Sequence, residues 1–428
     1  MKKKTVISII AALLALLTAA GCGGETAPTV TDPTTDPVTE ALPETESDVT
    51  DAETDETTEE TTAETVSEPI DLAAAPFRIV TAAGESSTTL SNVMTAFTSR
   101  LSTVGGLKYT VVSDKSGSGG DGTPEIVIGN ANRPECAAVF AALGPLDWCV
   151  SVASNRIILL GGTPDATAKA VNWFLMNYVV KNITLVPGGE LERFVSDEKL
   201  PDIGEAVPYT GSALRRLTVF AIGDSYFAGE GLDPKKDVWP ALLASKQGQS
   251  FTNYGIGGST VSDAITTNNP ICRRISSMKS GSPDIVLFEG GANDWNHSIP
   301  LGTAGSRDSK TFRGAVALCV EQLHEKYPGA FIVCLSNWDY GKKNSAGIES
   351  TEYAKAFCEV ASAYPYAAAI NASDTSVIPA HMTSSVFRAK YCISSSDFSH
   401  LNKEGMKLVL PFFEKLIGDG YEAFAAGR

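Results

Sequence analysis

Between Leu214 and Phe424 five apolar runs, LTVFAIG, SFTNYG, DIVLFEGG, AFIVCLSNW and YAAAIN, alternate with amphipathic stretches such as TFRGAVALCVEQLHEKYP and TEYAKAFCEVASAY. A strand exposed on one face would alternate apolar and polar residues. Continuous apolar strands joined by helices instead require a parallel sheet buried on both faces, with helices packed on each side. The expected fold is therefore α/β, a parallel sheet with helices on both faces, and in such a sheet ligands and reactive groups collect at the carboxyl edge, where strands end and helices begin.

Four short blocks lie at or near that edge. GDSY follows the first run, NYGIGGST the second and GGANDW the third, while SSSDFSHLN precedes the last helical stretch, EGMKLVLPFFEKLI. A serine hydroxyl becomes a useful nucleophile when an imidazole accepts its proton and a carboxylate fixes the imidazole's tautomer. Asp397 and His400 stand three residues apart, so one turn of chain can bring the two groups together. A tetrahedral intermediate also needs hydrogen-bond donors. The Ser225 N–H at a helix start, the unobstructed N–H of Gly258 and the Asn293 side-chain amide supply three, from three strand ends. Gly255, Gly257 and Gly258 all lie in the second block. Asp224 reads as a structural hydrogen-bonding group at the nucleophile turn.

These blocks, in this order and spacing, closely resemble the SGNH hydrolases, the GDSL-like lipase and esterase superfamily, over the whole of residues 214–428. The resemblance implies a flavodoxin-like sheet, Ser225 as nucleophile, His400 as base, Asp397 as its orienting acid, and an oxyanion hole from Ser225, Asn293 and Gly258, the last chosen among the three glycines by its offset from Asn253, with no cofactor. An α/β-hydrolase is excluded because its nucleophile elbow needs a small residue two places after the serine, where this chain has Phe227.

Residues 71–200 carry a second alternation. FRIVTA, LKYTVVSD and PEIVIGNA read as strands, TTLSNVMTAFTSRL and RPECAAVFAAL as helices, DWCVSVASNRIILLGG as a hairpin, and DATAKAVNWFLMNYVV as a closing helix. This smaller α/β domain contains no nucleophile with a plausible base. Its PEIVIGNANRPEC segment and hairpin-then-helix ending resemble the accessory domains that precede catalytic domains in some hexosaminidases and glucuronidases. A Pro- and Gly-punctuated connector, residues 201–213, separates the two domains.

The N-terminus belongs to neither. MKKKTVISIIAALLALLTAAGC places three lysines before an apolar run too short for a comfortable membrane span, the layout of a secretion signal ending at residue 22. TAAGC resembles a bacterial lipobox, which implies lipidation of Cys22, export, and anchoring to the envelope or cell surface through that lipid. Residues 23–70 hold 15 acidic and no basic residues, and with their Thr and Pro content they read as a disordered tether. Without that stretch and the signal's three lysines, 35 acidic face 31 basic residues. No basic excess remains to attract nucleic acid.

Seven cysteines remain besides Cys22, with no C-x-x-C pair, and His297, His324 and His381 form no ligand pattern, so no metal site is expected. The sequence leaves disulfide pairing and oligomeric state open. The expectation is an extracytoplasmic serine esterase acting on O-acyl, chiefly O-acetyl, esters of carbohydrate. Lipid or lysophospholipid ester hydrolysis is the alternative within the class, and a non-catalytic glycan-binding lipoprotein the alternative outside it. Tyr226, Trp295 and Trp338 are candidates to line the substrate edge, with core packing as the competing reading for the two tryptophans.

Overall fold

The computed structural model describes residues 67–115 and 121–427. The signal segment, Cys22 and the acidic stretch up to residue 66 lie outside the described residues.

The first sheet contains β2 (Phe77–Thr81), β3 (Tyr109–Ser113), β4 (Glu125–Ile128), β5 (Trp148–Ala153), β6 (Arg156–Gly161) and β8 (Gly189–Phe194), in the order β3-β2-β4-β6-β5-β8. The β3, β2, β4 and β6 pairings are parallel, and β5 joins β6 and β8 antiparallel. β1 (Ile70–Asp71) and β7 (Leu185–Val186) form a separate two-residue ladder. The helices are α1 (Thr88–Leu101), α2 (Pro134–Ala141) and α3 (Pro164–Phe174). Strand β8 does not stand out in the sequence because its residues, GELERF, are mostly polar and mostly exposed at the sheet edge. The predicted closing helix also differs in detail. After Phe174 it widens into a π turn over Leu175–Val179, with Val180 N donating to Leu175 O at 2.8 Å.

The second sheet is wholly parallel. It comprises β9 (Thr218–Ile222), β10 (Ser250–Asn253), β11 (Ile285–Gly290), β12 (Phe331–Ser336) and β13 (Ala367–Ile370), ordered β10-β9-β11-β12-β13. Numbered within the sheet, this is the 2-1-3-4-5 order of flavodoxin-like folds. Its helices are α4 (Ser225–Ala228), α5 (Trp239–Gln247), α6 (Ile271–Arg274), α7 (Ala292–Asn296), α8 (Phe312–Lys326), α9 (Ser350–Ala361), α10 (Ser385–Tyr391) and α11 (Lys403–Ala426).

The unbroken apolar strands follow from two separate cores. Val219, Ala221, Leu287 and Val333 pack with Trp239, Val409 and Phe413 on one face, while Phe220, Ile222, Val286 and Phe288 pack with Phe312, Val316 and Phe357 on the other. Because side chains alternate along a strand, each successive residue enters the opposite core. Every residue of β11 and β12 is buried. Both sheets lie in one compact unit, and contacts such as Ser395 N donating to Asp165 Oδ2 at 3.0 Å join their domains.

Candidate active site

Strand β9 ends at Ile222, and Gly223-Asp224 turns the chain into the short helix α4. Asp224 caps that helix by accepting from Tyr226 N at 3.0 Å, which places Ser225 at the first helical position. An N–H there has no intrahelical partner. His400 Nε2 lies 2.9 Å from Ser225 Oγ, and His400 Nδ1 lies 2.9 Å from Asp397 Oδ2. The other Asp397 oxygen accepts from the backbone N–H groups of Ser399, at 2.7 Å, and His400, at 2.8 Å. One carboxylate thus fixes the ring and folds the turn that carries it.

Electrostatics favour the same arrangement. Burial alone would raise the Asp397 pKa, but the His400 ring and two backbone donors outweigh it and leave the carboxyl below its usual value. Burial would likewise lower the His400 pKa, yet the Asp397 hydrogen bond and charge, with smaller contributions from Asp224 and Glu230, raise it. A hydroxyl, an imidazole of increased basicity and an ionised carboxylate in line form a proton-transfer chain.

The second and third blocks meet beside Ser225. Gly255 packs so tightly that a Cβ there would lie 2.6 Å from Ala228 N, so a side chain would push this loop off the nucleophile helix. A Cβ on Gly257 would lie 4.0 Å from Ser225 Cβ, and Gly258, at φ +76°, opens onto free space. Asn293 sits in α7, and its Nδ2 donates to Asp224 Oδ2 and to Ser259 O, both at 3.0 Å. Both amide hydrogens are therefore engaged, and donation to an oxyanion requires Asn293 to share or release one of them.

Sequence reasoning passed over the groups that tie these blocks together. Asp294, fully buried, accepts from Val261 N at 2.8 Å and Ser262 N at 3.0 Å, and burial pushes its carboxyl up to about 7 against those two donors. Glu289, at the end of β11, accepts from Asp224 N at 3.0 Å; burial and the Asp224 charge hold its pKa well above the ordinary value. Arg274 of α6 donates to Gly223 O and Ser259 Oγ, both at 3.0 Å, and to Tyr254 O at 2.7 Å.

Two substrate-binding expectations fail here. Tyr226 and Trp338 are only 4% and 3% exposed and stack on each other with centroids 5.0 Å apart. Tyr226 hydrogen-bonds Tyr340 through its hydroxyl, and Trp338 Nε1 donates to Ser399 O at 3.0 Å. Both rings point into the core beneath the edge, so neither offers a face to a ligand, and Trp338 instead braces the His400 turn. Trp295 is partly buried, donating to Ile348 O at 3.0 Å and tilted against Tyr340.

No group of three or more potential metal ligands occurs among the described residues. The seven cysteines among the described residues are free, six of them buried. His324 stacks on Tyr366 with centroids 3.6 Å apart, and His297 faces Asn268.

Residues 221–408 match the GDSL-like Lipase/Acylhydrolase family. Among solved structures the chain is similar to a protein from Lactobacillus plantarum (20% identity, 48% of this chain and 98% of that one, TM-score 0.39). It is also similar to a carbohydrate acetylesterase family member from Sinorhizobium meliloti (19%, 48% and 99%, 0.34) and to phospholipase A1 from Streptomyces albidoflavus (19%, 46% and 98%, 0.32). The chain matches no curated protein.

Proposed function

Residues 221–408 form a GDSL-like lipase/acylhydrolase domain of the SGNH superfamily, a carboxylic ester hydrolase, and from that premise we propose that the enzyme removes small O-acyl groups, chiefly O-acetyl, from carbohydrate outside the cytoplasm. The observation that carries the chemistry is the unbroken hydrogen-bonded chain from Ser225 Oγ through His400 to Asp397. Ser225 Oγ attacks the ester carbonyl while His400 Nε2 takes its proton. The sugar hydroxyl leaves with that proton, and a water activated by His400 then hydrolyses the acyl-serine to release acetate. The Ser225 and Gly258 N–H groups and the Asn293 amide hold the carbonyl oxygen as it gains charge.

A small acyl group suits the surroundings of the nucleophile. Phe227 is completely buried and Tyr226 nearly so, which commits both adjacent aromatic rings to the core. The loop beside Ser225 carries two exposed glycines, Gly257 and Gly258, and a Cβ on Gly257 would lie 4.0 Å from Ser225 Cβ. A pocket that enclosed a fatty acyl chain would gain ~0.8 kcal/mol for each methylene buried, and an open glycine-lined site gains little. The signal-like N-terminus and the lipobox-like cysteine support an exported, lipid-anchored enzyme whose ester substrates are extracellular or envelope material.

The test is a series of 4-nitrophenyl esters from acetate to octanoate, together with acetate release from acetylated xylan and acetylated peptidoglycan and fatty-acid release from a lysophospholipid. The expected result is a falling kcat/KM along the ester series, release from acetylated glycan, and loss of both in Ser225→Ala. A rate rising from acetate to octanoate would overturn the carbohydrate reading in favour of lipid esters.

A further inference from the structure

We propose that the N-terminal domain supplies a glycan subsite, a groove along α3 that binds sugar units of the ester-bearing polysaccharide beside the Asp397–His400 turn; this deepens the carbohydrate-ester reading above and rests on it. The groove holds about 560 Å³, within the usual range for ligand sites. One wall is α3 and its π turn, with contributions from α1 and the start of β5, and the other is Ser395-Ser396. Ser396 immediately precedes Asp397, so an occupant lies against the turn that holds the acid and base.

The lining is mostly apolar with a few polar groups at its rim, the make-up of a site where a sugar ring stacks. Asp165, Lys169, Asn172, Trp173 and Met176 recur at three- and four-residue spacings, which puts them on one face of the helix. Trp173 is partly exposed, and Trp148 lies alongside, backed by Phe194 with centroids 6.3 Å apart and planes 13° from parallel. Met176 is 51% exposed. A pyranose has an apolar face of C–H groups and a rim of hydroxyls, and flat rings bordered by amide and ammonium groups match both. An acyl chain would gain most from enclosure, whereas this groove is partly open to solvent. The π turn adds to the case, because a turn of this kind forgoes regular helical bonding and is frequent at functional sites. Here it falls on Leu175–Val179, the segment that contributes Met176 and Asn177 to the lining.

The subsite also touches the catalytic machinery through one residue. Asp165 Oδ2 accepts from Ser395 N at 3.0 Å and from Ser395 Oγ at 3.2 Å. The groove and the acid–base turn are therefore joined by direct hydrogen bonds across the domain boundary.

The experiment uses the full chain with Trp173→Ala and, because Trp173 is partly buried, also Asn172→Ala, which lies on the exposed face and leaves packing intact. Kinetics are compared on acetylated xylo-oligosaccharides and on 4-nitrophenyl acetate, and xylohexaose is titrated into Ser225→Ala protein with and without Trp173→Ala. The expected result is a KM for the acetylated oligosaccharide raised about ten-fold by Trp173→Ala and less by Asn172→Ala. Turnover of 4-nitrophenyl acetate should be unchanged, and xylohexaose binding should be lost with the tryptophan. Unchanged oligosaccharide KM in both variants, or a loss confined to octanoate esters, would overturn the subsite. Should the enzyme release no acetate from any glycan, the substrate reading fails, and the xylohexaose titration judges the groove alone: Trp173-dependent binding upholds it, and absence of binding rejects it.

Discussion

Replacing Asp397 by Asn tests the proton-transfer chain with little change of shape. The asparagine oxygen can still accept from Ser399 N and His400 N, as Asp397 Oδ1 does at 2.7 and 2.8 Å, so the turn keeps its fold. The atom facing His400 Nδ1 becomes an NH2 group, which donates where the carboxylate accepted. The ring must then carry its proton on Nε2 and present it to Ser225 Oγ, the wrong tautomer for a base. In a serine protease with the same constellation this exchange lowers kcat by ~10⁴-fold, which corresponds to about 5 kcal/mol of barrier, and a loss of that order is expected here. The pH profile supplies a second, independent reading. Base catalysis needs neutral His400, so activity rises with pH through its pKa. Asp397 raises that pKa against the lowering effect of burial. With Asn only the burial effect and the weaker charges remain, so the acid limb should move from above the ordinary histidine value of roughly 6.5 to lower pH. Acetate released from 4-nitrophenyl acetate would be titrated between about pH 5 and 9. An Asp397→Asn enzyme with more than about a tenth of native kcat/KM, or with its acid limb unmoved, would refute the chain.

Asn293→Ala should lower kcat by ~10²- to 10³-fold with a smaller change in KM, and a change in KM alone would make Asn293 a binding residue instead. The same variant strips buried Asp224 Oδ2 of a donor, so thermal unfolding should report a loss of ~1–3 kcal/mol. Asp165→Ala should reduce kcat on 4-nitrophenyl acetate about ten-fold by loosening Ser395, and Asp165→Asn, which keeps an acceptor oxygen, should restore most of it; equal kcat in all three proteins would remove Asp165 from any positioning role. Cys22→Ser should move the protein out of the membrane fraction on fractionation of expressing cells, since the apolar run before it is too short to anchor by spanning. Continued membrane association would reject the lipoprotein reading.

The strands are legible in the sequence because burial on both faces removes polar residues, and β11 and β12 show that pattern over their full length. The blocks after them are legible because Ser, Gly and Asn occur where the chain leaves the sheet, and the Asp–His pair because its two groups stand three residues apart just before the last helix. Side-chain direction is not. Tyr226 and Trp338 lie close to the edge in sequence, yet tertiary packing turns both inward onto each other. Long-range partners are equally hidden. Arg274 lies on a short helix outside every block, Glu289 reads as an ordinary strand residue, and Asp165 reaches Ser395 across 230 positions. Their roles depend on contacts that no local pattern encodes.

The two halves of the site are held in different ways. Ser225, Gly258 and Asn293 follow adjacent strands of one sheet, and buried groups cross-link their loops: Asp224 to Asn293, Asn293 to Ser259, Asp294 to Val261 and Ser262, and Arg274 to Gly223 and Ser259. Such bonds hold the three loops in register before substrate arrives, as an oxyanion site requires, while Asn293 must still share or release one of its two amide hydrogens. The Asp397–His400 turn instead precedes α11 and follows no strand of the sheet. It is held by its own carboxylate, by Trp338 at Ser399 O, by Arg388 Nε at Ser395 O at 3.0 Å, and by Asp165 at Ser395 N. The last of these belongs to the N-terminal domain. A ligand that shifts α3 therefore acts on the acid and base and leaves the nucleophile's frame untouched, so its kinetic effect falls on the proton-transfer steps.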